Sequence, residues 1–147
     1  MKHLGKVLSL FSTDKKTVSI QKKILINLDQ KGIQDDKHYN KVPERAVLLT
    51  SILSYSILEK EDIHISHGLL GENILIDFNP YTLSIGSRLQ IGETILEISQ
   101  NCTLCNHLSS IHQKLPLLLK NDRGIFAKII QEGTIKTDDF IFLLRSK

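Results

Sequence analysis

The chain carries two cysteines, Cys102 and Cys105, set as Cys-Thr-Leu-Cys just before Asn106-His107. Haem attachment of the c type needs His directly after the second cysteine, and Asn106 intervenes. A structural zinc site needs four ligands and has no second C-x-x-C to draw on; His107 and His112 would have to complete it. Dithiol redox chemistry expects a strand before the pair and a helix after it, which this segment supplies, but within β-turn-β rather than βαβ surroundings. The fourth reading is a single reactive thiolate, Cys105, at a helix start, where unpaired N–H groups and the helix dipole lower a thiol pKa. A thiolate is both a strong nucleophile and a soft-metal donor. The structural alternative is a pair of small buried hydrophobes.

Other residues could bind rather than react. Arg45, Arg88 and Arg123 offer forked guanidinium contacts to phosphate, and Arg123 sits in a turn. Asp36 and His38 lie in a polar loop, where binding residues are common, with loop capping as the structural role open to Asp36. Glu72 and Asn73 follow Gly71, a residue suited to positive φ. Asn73 could hold a ligand edge or tie the turn, and Glu72 could pair with an arginine. His67 and His107 read as satisfied polar residues.

These residues must be positioned by short strands. The 147 residues are the size of one domain, 1–147, with 41% hydrophobic and 24% charged composition, so a packed core is expected and disorder is not. Strands are expected at Gly5–Phe11, Thr17–Leu28, Ala46–Thr50, Asn73–Phe78, Leu83–Ile85, Arg88–Ile91, Thr94–Ser99, Ile125–Gln131 and Phe140–Leu144. Turn chemistry at Asn79-Pro80, Gly86-Ser87, Gly92-Glu93, Asp122-Arg123-Gly124 and Glu132-Gly133 separates them. Such spacing argues for a mainly β barrel or sandwich with a few helices. One helix runs from Ser51, its cap, to about Lys60, with Leu53 and Ile57 four apart. A second begins near Cys105, places Leu108, Ile111 and Leu115 on one face, and ends or restarts at Pro116.

The net charge of +3, from 19 basic and 16 acidic residues, is spread along the chain. Lys15-Lys16 and Lys22-Lys23 flank a strand and read as a guarded edge rather than a nucleic-acid patch. No signal sequence or membrane-length apolar run is visible, so a cytoplasmic protein without membrane contact is expected. In that reducing setting a structural cross-link between the cysteines is not expected.

Segments in consistent order from Gly32 to Leu144 resemble the MOSC domain family. Gly68 to Asn73 (Gly-Leu-Leu-Gly-Glu-Asn) resembles its G-x-x-G-E-N segment, and Gly32-Ile-Gln-Asp-Asp-Lys-His38 its G-x-x-G-D-x-H. Arg45-Ala46-Val47 stands where an Arg leads into a strand. Leu83 to Gly92 is similar to its two strands parted by Gly, and Leu96 to Gln100 precedes Cys105 at the place of the family cysteine. Arg123 to Ala127 and Gly133 to Asp138 resemble the closing strands. The sequence departs from the pattern at Cys102 and Leu104, where Arg and Pro are frequent. Asp35 replaces one Gly, and Tyr39 or Asn40 another.

The resemblance implies a closed or partly open β-barrel of the MOSC, pyruvate-kinase-barrel-like type. It implies binding of molybdenum cofactor, a molybdopterin, with Cys105 as molybdenum ligand or persulfide carrier. Asp36, His38, Arg45, Asn73, Arg123 and Cys102 are the cofactor-binding candidates, Cys102 as a second thiol able to resolve a persulfide. The implied activity is a molybdenum-dependent oxidoreduction, the reduction of N-hydroxylated compounds, or sulfur transfer. The partner is then a redox protein or a cysteine desulfurase. Some MOSC domains are fused to a pyridoxal-phosphate desulfurase, but no such domain is expected on this chain and no pyridoxal phosphate. A non-catalytic cofactor-delivery module and a C-x-x-C redox or zinc protein remain open at this point.

Overall fold

The computed structural model describes residues 1–102 and 106–145, without the side chains of 106 and 107. Its centre is a closed ring of seven strands: β1 (Lys2–Thr13), β11 (Phe140–Leu143), β7 (Arg88–Ile91), β8 (Thr94–Asn101), β9 (Ile125–Gln131), β5 (Val47–Ser51) and β6 (Ile74–Ile76), which returns to β1. Every pairing in the ring is antiparallel except β5 with β6. A parallel pair needs a crossover, and residues 52–73 provide it, carrying α1 (Ile52–Lys60) outside the wall.

Closure relies on β1, which pairs with β11 through its first half and with β6 and β2 (Ile20–Lys23) through its second. Register shifts at His3/Gly5 and Val7/Ser9 let so long a strand bend around the ring. At the first of them a Cβ on Gly5 would run into the Asp77 carboxylate that accepts from Lys6 N, so a larger residue would have to displace it. Alternation then sorts side chains to two sides of the wall. Val7, Leu10, Val47, Leu49, Ile74, Ile76, Leu96, Ile98, Ile125 and Ala127 fill the barrel. A second sheet of β10 (Gly133–Lys136), β3 (Leu25–Asp29) and β4 (Gly32–Ile33) adds Ile26, Leu28, Ile33 and Ile135 to the same core.

Outside the wall lies a second apolar layer. Phe11 and Leu75 from the strands meet Tyr55 and Leu58 of α1, Leu70, Leu108 of α2 (Asn106–Ile111), and Leu115 of α3 (Leu115–Leu118). The Ser51 cap forms as expected, its Oγ accepting from Leu53 N at 3.1 Å. The buried face of α1 is Ser54, Tyr55 and Leu58, however, and Leu53 is exposed. The second helix does restart at Pro116, which stands in the first turn of α3.

Three expectations need correction. Leu83–Ile85 is irregular rather than a strand, because Leu83 N bonds Pro80 O at 3.1 Å and Gly86 N bonds Ile98 O at 2.8 Å, folding the segment into turns. Thr17–Leu28 is two strands, broken by a turn in which Asp14 Oδ1 accepts from Lys16 and Thr17 N–H groups and Val18 takes φ +57°. The short strand β4 was not anticipated, whereas β10 falls where Gly133 to Asp138 resembled a closing strand. β2, which carries Lys22-Lys23, pairs with β1 alone among the described residues, as a guarded edge should. Among the described residues no helix is long and apolar enough to cross a membrane.

Candidate functional site

The residues that could do chemistry gather along one segment, Leu70 to Asn73, where the crossover re-enters the barrel as β6. Gly71 takes φ +90°, a conformation that favours glycine, and it lies beside the guanidinium of Arg123. Arg123 is 7% exposed. Its Nη2 donates to Leu70 O at 3.1 Å and its Nη1 to Cys102 Sγ at 3.0 Å. Its Nε is buried without a hydrogen-bond partner in the structure.

The pair is anchored through its backbone. Cys102 N donates to Gly124 O at 3.0 Å, prolonging the β8–β9 ladder by one rung, and Thr50 Oγ1 of β5 donates to Arg123 O at 2.9 Å. Leu48 and Thr50 alternate with the inward residues of β5, so this cluster sits on the outer side of the wall, beneath the helical layer.

At the other end of the segment, Asn73 ties three pieces of chain. Its Oδ1 accepts from Leu48 N at 2.9 Å, and its Nδ2 faces Phe11 O and Asp36 Oδ1, each at 3.3 Å. Asp36 also accepts from Thr13 N at 2.8 Å and His38 N at 3.1 Å, with His38 Nδ1 3.4 Å from Oδ2. Burial works against ionisation of this carboxyl, but the bonds from His38 and Thr13 prevail and hold it below the usual carboxylate range. Asp36 thus caps its loop and aims His38, whose side chain stays 48% exposed. Both departures from the family glycines are accommodated: Asp35 takes φ +68° and Asn40 φ +58°. These are residue types that tolerate the left-handed region.

Glu72 does not pair with an arginine. Its Oε2 accepts from Tyr55 O–H at 2.5 Å and Gly68 N at 3.1 Å, and Oε1 is buried without a partner. Burial raises the Glu72 carboxyl above its ordinary value and, with the adjacent carboxyl, raises the Tyr55 phenol as well. His67 is exposed and its ring leans on Tyr55 at a tilt of 60°, ring centroids 4.6 Å apart. Because the folded carboxyl is harder to ionise, Glu72 favours folding below the unfolded value of about 4.3 and loses that contribution as pH rises toward its raised value. Urea unfolding of the wild type between pH 4 and 8 should show this decline, and Glu72→Gln should flatten it; equal slopes for the two proteins would contradict the assignment.

The remaining candidates lie elsewhere. Arg45 is exposed, with its guanidinium 5.0 Å from the centre of the Phe126 ring, and Arg88 is bound at 3.1 Å to Glu97 across the β7–β8 pair. Cys105 lies outside the described residues, and so does the side chain of His107. Among the described residues no cluster of His, Cys, Asp and Glu is arranged to hold a metal ion. A cleft of about 430 Å³ lined by Met1, Lys2, Leu143, Leu144 and Arg145 contains none of the site candidates. Sequence reasoning missed Tyr55 and Thr50. Tyr55 was legible only as one more helical residue, and nothing in the spacing joins Thr50 to a turn 73 residues away.

The architecture is shared with solved structures. The YuaD protein from Bacillus subtilis superposes with a TM-score of 0.80 at 18% identity, over 97% of each chain. YiiM from Escherichia coli gives 0.74 at 18% identity, over 97% of this chain and 71% of that one. YiiM from Geobacillus stearothermophilus gives 0.68 at 16% identity, over 98% and 75%. No curated protein matches the sequence. The family model described as "MOSC domain" matches residues 35–141, which is most of the chain, and the protein belongs to the MOSC domain family.

Proposed function

We propose that this MOSC domain binds molybdenum cofactor in the seam between barrel wall and helical layer, with Arg123 taking the anionic end and the 102–105 segment supplying sulfur. MOSC domains are generally associated with that cofactor. The observation that carries the reading is the orphaned Nε of Arg123: a buried guanidinium with a donor left over fits an acceptor supplied by a ligand. His38 is the second contact. With Nδ1 turned to Asp36, its ring offers the opposite edge, and Asp36 and Asn73 fix its position.

When bound, the cofactor supplies a molybdenum centre that exchanges electron pairs with substrate. Cys105 would serve it as a sulfur ligand or as a persulfide carrier, and reduction of an N-hydroxylated compound would be the reaction class. Arg45 and Arg88, engaged on the outer surface, have no part in this reading.

Release of pterin from protein freshly purified from a cofactor-competent host, detected by fluorescence, tests the proposal alongside molybdenum analysis. We expect pterin and molybdenum in the wild type and loss of molybdenum in Cys105→Ser. Pterin and molybdenum both retained in Cys105→Ala would point to a delivery module without chemistry at that sulfur. Absence of pterin from the wild type would overturn the proposal.

A further inference from the structure

We propose that Cys102 is a second sulfur site: a thiolate ion-paired with Arg123, able to take one sulfur atom from a small persulfide. The first support is the contact itself. An Nη1–Sγ distance of 3.0 Å is what an N–H donor usually keeps to oxygen, and sulfur is the larger atom, so the contact is close for a neutral thiol and natural for a charge-assisted one.

The second support is the charge balance around the guanidinium. Arginine stays protonated, and a buried charge needs an opposite one. Among the described residues no carboxylate reaches Arg123: its bonds run to a neutral carbonyl and to this sulfur. Glu72, next to Gly71 in sequence, binds Tyr55 and Gly68 through Oε2, and burial raises its carboxyl toward the neutral form. The thiolate is therefore the counter-charge within this cluster. The unspent Nε of the same 7%-exposed arginine is an independent sign that the cluster was built to face an added group.

The step balances without an outside oxidant or reductant. Cys102 Sγ⁻ attacks the outer sulfur of a persulfide R–S–SH; the donor's S–S bond breaks as the new one forms. The products are Cys102–S–SH and R–S⁻, with the proton kept on the transferred sulfur. Cys102 is only 6% exposed, which restricts the donor to a small molecule. A persulfide that then loses its proton gains the charge of Arg123. None of this depends on the cofactor assignment.

The test uses full-length Cys105→Ser, in which Cys102 is the sole thiol. Iodoacetamide alkylation of the folded protein should reach half its maximal rate well below the ordinary thiol value of about 8.5, and the urea-unfolded protein should return to that value. Arg123→Gln should move the folded profile up by about one pH unit and slow alkylation at neutral pH, and Arg123→Lys should move it less. Treatment with glutathione persulfide should add one sulfur atom to Cys105→Ser by intact mass and none to the double variant that also carries Cys102→Ser. Should Arg123→Gln fail to fold, the folded and unfolded profiles of Cys105→Ser decide the matter. A folded profile matching the unfolded one, or no sulfur gained at Cys102, overturns the proposal, whatever the pterin assay gives.

Discussion

Replacing Asn73 with alanine should lower stability by about 3–5 kcal/mol. The side chain is 4% exposed and works in two directions at once. Its oxygen satisfies Leu48 N on β5, and its nitrogen faces Phe11 O on β1 and the Asp36 carboxylate. Alanine leaves a buried donor and two acceptors short of a partner, each costing about 1–3 kcal/mol in a protein interior. Asn73→Asp sharpens the test. It keeps an acceptor for Leu48 N but sets a second carboxylate against Asp36 where the amide stood 3.3 Å away. In the wild type Asp36 favours folding above the unfolded value of about 3.9, and this is lost as pH falls through its depressed folded value. In Asn73→Asp the two acids oppose each other, so the variant should be weakest near neutrality and recover part of the deficit toward pH 4. Urea midpoints across this range give the answer, and an Asn73→Asp protein as stable as wild type at pH 7 would show that the tie is not needed.

The same residue shows what the sequence could convey. Gly71 signalled a positive φ, and the turn is there, but Asn73 read equally well as ligand contact or tie. Only the fold decides which backbone groups fall within reach of an amide, and here Leu48 and Phe11 lie 25 and 62 residues away. The mainly β class was legible because alternation and turn residues are local. Closure was legible only through the family resemblance, since it depends on β1 pairing with β11 at the far end of the chain and on a parallel β5–β6 pair that no hairpin signal announces. Leu83-Ser84-Ile85 alternates like a strand, yet Leu83 N bonds to Pro80 O and Ser84 O accepts from Ser87 N, so local turns override a short pattern.

Arginines illustrate a second limit. Three could have clamped an anion, and residue type cannot distinguish them, because what matters is whether competitors take the guanidinium. Glu97 takes Arg88 and the Phe126 ring sits under Arg45. Arg123 is the one carried inside, where its Nη1 and Nη2 meet Cys102 Sγ and Leu70 O.

Arg123→Ala should therefore reduce the pterin retained by the purified protein by about 10- to 100-fold, the equivalent of one charge-assisted hydrogen bond at about 1.5–3 kcal/mol. Loss of fold could mimic this outcome, since Leu70 O and the Cys102 sulfur each lose a donor. Arg123→Lys separates the two. Lysine keeps the charge but presents a single ammonium in place of a fork, so it should preserve the unfolding midpoint better than alanine does and still hold the cofactor poorly. Exposed Arg88→Ala is the control, expected to change neither midpoint nor pterin content appreciably, because a surface ion pair such as its bond to Glu97 contributes about 0–1 kcal/mol. Full pterin content in a folded Arg123→Ala protein would remove the anion-binding role from this residue and leave Leu70 and Cys102 as its reasons for being buried.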